Sequence, residues 1–175
     1  MRISQTNRLQ LRHINQSDAD FLFDLYNQAP FIKHIGDRGL SSLSKTRDFI
    51  EVVRANYKKY GFWLYLVEDK LTKEPIGVNG LVRRDYLDAP DIGFAISQDY
   101  WRQGFAYESS LAVIEHARQL KLHKLLAIIS PNNISSIKLI EKLGFSFVKQ
   151  DQFNPEEQAV NLYQKNSLLQ ILNNN

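Results

Sequence analysis

Asp91-Ile-Gly-Phe-Ala-Ile-Ser-Gln-Asp-Tyr-Trp-Arg-Gln-Gly-Phe-Ala106 reads as a strand, a tight loop and the start of a helix. Asp91 to Ile96 is short and apolar, and Gly104 opens a longer helical stripe of Ala106, Ser110, Val113, Ala117 and Leu120. A glycine at a helix start lets a ligand approach N–H groups that have no intrahelical partner, and the positive end of the helix dipole suits a diphosphate. Gly104-Phe-Ala106 taken alone is as well explained by a tight turn with close packing. Neither G-x-x-x-x-G-K-[ST] nor G-x-G-x-x-G occurs, so the nucleotide P-loop and the dinucleotide fingerprint are excluded.

Before this stretch, Leu9, Leu11 and His13 alternate with polar residues and predict a first strand. Ser17 is the expected cap of a helix carrying Phe21, Leu22, Leu25 and Tyr26 and stopping before Pro30. Residues 31 to 43 read as a loop, and Ser44 is the expected cap of a second helix with Phe49, Ile50, Val53 and Tyr57 on one face. Phe62 to Glu68 and Ile76 to Val82 predict an antiparallel hairpin. After it come a strand from Lys124 to Ile129 buried on both faces, a helix from Ser135 to Leu143, and strands at Phe145 to Lys149 and Val160 to Gln164. The order β-α-α-β-β-β-α-β-α-β-β predicts one mixed α/β domain.

The composition of the 175 residues fits that size: 43% hydrophobic and 23% charged, as in a folded globular domain. With no cysteine, thiolate nucleophiles, disulfide frameworks and iron–sulfur clusters are excluded. A net charge of +3 is too small and dispersed to argue for nucleic acid. No apolar run reaches the ~20 residues of a membrane span, and the first twelve residues do not form a signal peptide; a cytoplasmic location is expected.

A second segment, Ser130-Pro-Asn-Asn-Ile-Ser-Ser-Ile-Lys-Leu-Ile-Glu-Lys-Leu-Gly-Phe145, follows the buried strand and leads through N-x-x-S into a helix. The two segments together, at this separation, resemble the GCN5-related N-acetyltransferases (GNAT), above all the branch that acetylates ribosomal-protein N-termini. Asn7-Arg-Leu-Gln-Leu-Arg12, Ile35-Gly-Asp-Arg-Gly39, Gly77-Val-Asn-Gly-Leu81 and Asp91-Ile-Gly-Phe-Ala95 match as well. The likeness covers residues 5 to 165, leaving 166 to 175 as a tail. It implies a mostly antiparallel sheet flanked by helices, with a splayed, V-shaped cleft for the coenzyme.

The resemblance further implies direct acetyl transfer from acetyl-CoA to a primary amine, on a protein N-terminus or a small molecule, by a monomer or homodimer. The loop Trp101, Arg102, Gln103, Gly104, Phe105 and Ala106 would present amides to the pyrophosphate. Trp101 stands where Gln or Arg is usual. Phe94, Ala95 and Ile96 would line the pantetheine, and Asn133 and Ser136 would serve the coenzyme from the next helix, with Ser136 at the sulfur. Asp91 occupies the place of a glutamate that acts as base or relay in relatives. The tyrosine acid of other branches would fall at Ile140, which has no proton to give. His34, Asp37 and Arg38 lie in the expected acceptor-side loop.

Each assignment has a plain competitor. Asp91 also reads as a solvated strand-start carboxylate, Ser136 as a serine satisfying its own helix, Asn133 as a cap and His34 as an exposed loop residue. His116 and His123 stand seven residues apart, roughly 10 Å along a helix, too far to share a metal, and no metal site is expected. Trp63 and Tyr65 read as core. The function from another class is a domain of this fold that senses an acyl-CoA without turning it over.

Overall fold

A computed structural model of the chain describes residues 1–153, 158–166 and 168. Eight strands form one sheet: β1 (Arg2–Gln5), β2 (Leu9–His13), β3 (Leu64–Asp69), β4 (Pro75–Val82), β5 (Asp91–Ile96), β6 (Leu125–Ile129), β7 (Ser146–Asp151) and β8 (Val160–Lys165). Their spatial order is β1-β2-β3-β4-β5-β6-β8-β7, antiparallel throughout except where β5 meets β6. Among the described residues five α-helices flank it: α1 (Ala19–Asn27), α2 (Ala29–Ile35), α3 (Leu43–Tyr60), α4 (Phe105–Gln119) and α5 (Ile134–Lys142). The α/β fold is therefore the one the element order predicts. Most of the proposed tail, residues 167 and 169–175, lies outside the described residues.

Three local expectations are corrected. Residues 31–43 are not one loop, because Pro30 sits in the first turn of α2 instead of ending the helix before it. Proline is tolerated there, where its missing N–H has no partner to lose. The break is the extended residue Gln28, after α1 has stopped at Asn27. Ser42, not Ser44, caps α3, its hydroxyl accepting from Lys45 N–H at 3.2 Å. Ser17 gives way to Asn15, whose side chain caps the short turn Gln16–Asp18 that leads into α1. Strand β1 escaped the sequence pattern because Arg2–Gln5 is a four-residue edge strand with no fully buried residue.

Side chains on both faces of the sheet join one core, with Leu9, Leu66, Val78, Ile50 and Val113 among its buried members. Strand β4 is pressed so closely between its neighbours that two positions admit no side chain. A Cβ on Gly80 would lie 2.3 Å from the Trp63 carbonyl oxygen, and one on Gly77 would lie 2.3 Å from that of Ala95. Arg12 ties β2 to the start of α1 by bonding both oxygens of Asp18, and to β3 through Glu68 at 2.7 Å. Such an ion pair, with both carboxylates buried, stands because every partner is satisfied.

A column of rings crosses the strands: His13 stacks on Tyr57 at 3.9 Å, and Tyr65 hydroxyl bonds His116 Nε2 at 3.0 Å. Burial lowers the pKa of both histidines, assisted at His13 by the nearby N-terminal charge. Below about pH 6.5 the unfolded chain thus binds more protons than the folded one, and stability falls as the pH is lowered. Urea titrations between about pH 7.5 and 5.5 are expected to show this loss, at most about 1.4 kcal/mol per pH unit for each histidine. The slope should be shallower in His116→Gln.

Candidate active site

The parallel pair β5–β6 is joined at a single place, Asp91 opposite Leu126, where Leu126 N–H donates to Pro90 C=O at 2.9 Å. Beyond it β5 keeps its partner β4 and loses β6. Ser97 N–H bonds Ile76 C=O across to β4. Because antiparallel residues face their partner alternately, the N–H and C=O of Phe94 and Ile96 point the other way, into the gap. Trp101 Nε1 caps the Ile96 carbonyl at 2.6 Å.

The gap opens on a cavity of about 540 Å³. One wall is Phe94, Ala95 and Ile96 of β5; a second is Trp101, Arg102 and Gly104 to Tyr107. Asn133, Ser135, Ser136 and Leu139 of α5 close one flank. Leu25, Gln28, Pro30, Phe31, His34 and Ile35, from the α1–α2 break, close the other. Gln28 fixes that break to the end of β5, donating to Ser97 Oγ at 3.0 Å and accepting from Gln98 N–H at 3.3 Å.

The loop entering α4 turns through two left-handed residues, Arg102 at φ 60° and Gly104 at φ 80°. Gly104 is the cap of α4, and Glu108 N–H makes the first bond, to Gly104 C=O at 3.0 Å. The N–H groups of Phe105, Ala106 and Tyr107 therefore have no partner within the helix. Asn79 on β4 anchors this turn from beneath: its Nδ2 donates to Ser109 and Ser110, and Ser109 Oγ in turn donates to Phe105 C=O at 2.8 Å.

Of the residues singled out from sequence, Phe94, Ala95, Ile96, Trp101, Arg102, Gly104, Phe105, Ala106, Asn133, Ser136 and His34 meet at this one cavity. Gln103 does not line it; its side chain donates to Asp99 C=O. Asn133 Oδ1 is engaged as the α5 cap, accepting from Ser136 N–H at 3.2 Å. Asp37 shapes its own turn by accepting from Gly39 N–H at 2.7 Å, and Arg38 is exposed; neither lines the cavity. Ile140 is wholly buried, packed where a phenol would have to displace core.

Asp91 is not the solvated carboxylate that its place beside Pro90 allows. It is 1% exposed, and its Oδ1 accepts from Arg84 Nε at 2.9 Å. Burial pushes its pKa up, against the opposing pull of the Arg84 charge and hydrogen bond and of Arg38 farther off. Alternation along β5 puts its side chain on the face shared with Gly93 and Ala95, one side of the sheet from Phe94. Arg84 and Gln28 went unrecognised in the sequence because their roles arise from contacts across the fold. Tyr107 merely follows the residues already marked, in the first turn of α4. Among the described residues, no group of three or more His, Asp or Glu side chains could hold a metal ion.

The sequence model of the acetyltransferase (GNAT) domain matches residues 8–146. The chain belongs to the GNAT family. Among the relatives of this GNAT chain is the uncharacterized protein YkkB of Bacillus subtilis, 30% identical over 147 residues, which are 82% of this chain and 85% of YkkB. The uncharacterized N-acetyltransferase YoaA of the same organism is 29% identical, over 82% of each chain. Solved GNAT-fold structures superpose well. The ribosomal L7/L12 alpha-N-protein acetyltransferase RimL, in complex with coenzyme A, has a TM-score of 0.81 at 20% identity, covering 95% of this chain and 98% of its own. An acetyltransferase of Agrobacterium tumefaciens gives 0.78 at 22%, covering 94% of each.

Removing Arg84 would leave a buried carboxylate without its partner, a change that typically costs 3–5 kcal/mol. Arg84→Leu is expected to lose about 3 kcal/mol of unfolding free energy at pH 7. The deficit should shrink toward pH 5, because the folded state, with its raised Asp91 pKa, takes up the proton first. Urea unfolding at the two pH values checks both parts.

Proposed function

We propose that this GNAT protein is an acetyl-CoA-dependent N-acetyltransferase that moves the acetyl group directly to a primary amine, with a protein N-terminus or a small amine as acceptor. The observation that carries the reading is the meeting, at one cavity, of the cleft-facing backbone of Phe94 with the free N–H groups of Phe105 to Tyr107. Those amides, at the positive end of a 15-residue helix, suit a diphosphate. An extended strand edge beside them suits the amide groups of pantetheine. RimL, whose own structure is a complex with coenzyme A, supports the choice of coenzyme.

When bound, the coenzyme supplies the acetyl thioester. The chain's residues have three tasks around it. Phe94 N–H, fixed in the sheet, is the donor aimed at developing charge on the thioester oxygen. Ser136 hydroxyl, on the cavity wall, is placed to hydrogen-bond the sulfur, whose thiol pKa of ~8.5 makes it a tolerable leaving group. The acceptor must shed a proton before it attacks. Asp91, its basicity raised by burial, is the assigned proton acceptor; because it does not line the cavity, the proton reaches it through water. The lack of cysteine in the chain accords with direct transfer.

Thiol release from acetyl-CoA in the presence of a panel of amines tests the function. Amine-dependent release is expected; tight binding with no release for any amine would make the protein a sensor. Gly104→Val forces a β-branched residue into a left-handed conformation and should weaken acetyl-CoA binding at least tenfold, about 1.4 kcal/mol, by calorimetry. Asp91→Asn should lower kcat by about 10²- to 10⁴-fold at neutral pH, with acetyl-CoA affinity within about threefold. The deficit should shrink at alkaline pH, where solvent deprotonates the amine; full activity at pH 7 would return the search to His34.

A further inference from the structure

The turn between β1 and β2 does more than join two strands. Arg8 reaches from it to α4 and makes four contacts there. Its Nη1 donates to Gln103 C=O at 3.0 Å, its Nε and Nη2 meet Glu108 Oε2 at 2.7 and 2.6 Å, and its guanidinium lies 4.4 Å from the Phe105 ring centroid. The backbone N–H of Arg8 and the hydroxyl of Thr6 both donate to the other oxygen, Glu108 Oε1. Arg8 Nη2 also lies 3.5 Å from where a Cβ on Gly104 would stand. One side chain thus grips the residue before the cap, the first residue of the helix and the carboxylate of its first turn.

That carboxylate is a liability for an anion site. A negative charge in a helix's first turn is drawn to the same positive end that a diphosphate needs, and it repels the diphosphate as well. Here all four donors come from the β1–β2 turn, so the Glu108 charge is offset by the guanidinium and both of its oxygens are held at that turn. The Gln103 carbonyl is fixed by the same guanidinium, which holds the peptide between the two left-handed residues Arg102 and Gly104.

Resting on the acetyl-CoA reading, we propose that Arg8 is a positioning residue for the coenzyme's diphosphate: it clamps Gln103 C=O and Glu108 so that the α4 amides stay free and uncontested. It need not touch the coenzyme. Its effect is confined to donors that carry the diphosphate, which separates it from a residue that only stabilises the fold.

The test compares acetyl-CoA with S-acetylpantetheine, a donor that lacks the diphosphate, in the full chain. Arg8→Ala is expected to weaken acetyl-CoA binding tenfold or more, while kcat/KM for S-acetylpantetheine stays within threefold of the unaltered protein. Adding Glu108→Gln to Arg8→Ala removes the uncompensated charge and should recover at least threefold of the lost affinity. If Arg8→Ala does not fold, Arg8→Lys serves instead. One ammonium cannot bridge Gln103 C=O and Glu108 as the guanidinium fork does, so the same donor-selective loss is expected. Equal losses with both donors, or unchanged acetyl-CoA affinity in folded Arg8→Ala, would overturn the clamp and leave the coenzyme reading intact. An unaltered protein that binds no coenzyme A would overturn the coenzyme reading and the clamp with it.

Discussion

Everything at the cavity depends on β5 and β6 pairing once and then parting. A parallel pair continued along its length would engage the N–H and C=O of Phe94 and Ile96 and close the gap. Because pairing stops after Asp91 and Leu126, the middle of the sheet contains an edge, the kind of unpaired strand that normally invites aggregation. The protein covers it from three directions: Trp101 caps one carbonyl, α5 closes one flank and the α1–α2 break closes the other. What remains open is narrow and chemically defined, which is how an unmet backbone becomes a binding surface.

The close-set strands beside the gap keep it rigid. Gly77 and Gly80 let β4 lie against β3 and β5 with no room for a methyl group, and Asn79 between them carries the hydrogen bonds that seat α4. The strand that supports β5 is therefore also the strand that sets the height of the helix whose amides face the cavity. The loop that joins them, from Ser97 to Gly104, has little freedom to move one without the other.

Much of this is legible in the amino-acid sequence. The 3.6 and 2.0 periods place the helices and the interior strands, because their buried faces carry long apolar repeats such as Phe49, Ile50, Val53 and Tyr57. The loop and the two helix starts carry their own signals in Gly104 and in the spacing of Asn133 and Ser136. What stayed hidden has a common cause. Strand β1 has no fully buried residue; α2 is seven residues long with a proline in its first turn; Asp91 owes its environment to Arg84, and Glu108 to Arg8. The two elements are too short to show a period, and the two ion pairs join different parts of the fold, so none leaves a pattern behind.

The cavity wall includes Arg102 and His34 but, among the described residues, no aspartate or glutamate. An amine that enters finds no anion to reward it for keeping its proton, so under the proposed function its own acidity becomes a filter. At neutral pH an α-amino group, with a pKa near 8, is uncharged a few hundred times more often than a lysine ammonium with a pKa of ~10.4. Under the proposed function, a cleft of this kind would favour chain ends over lysine side chains before any shape is recognised. It would do so by declining to stabilise the charged form.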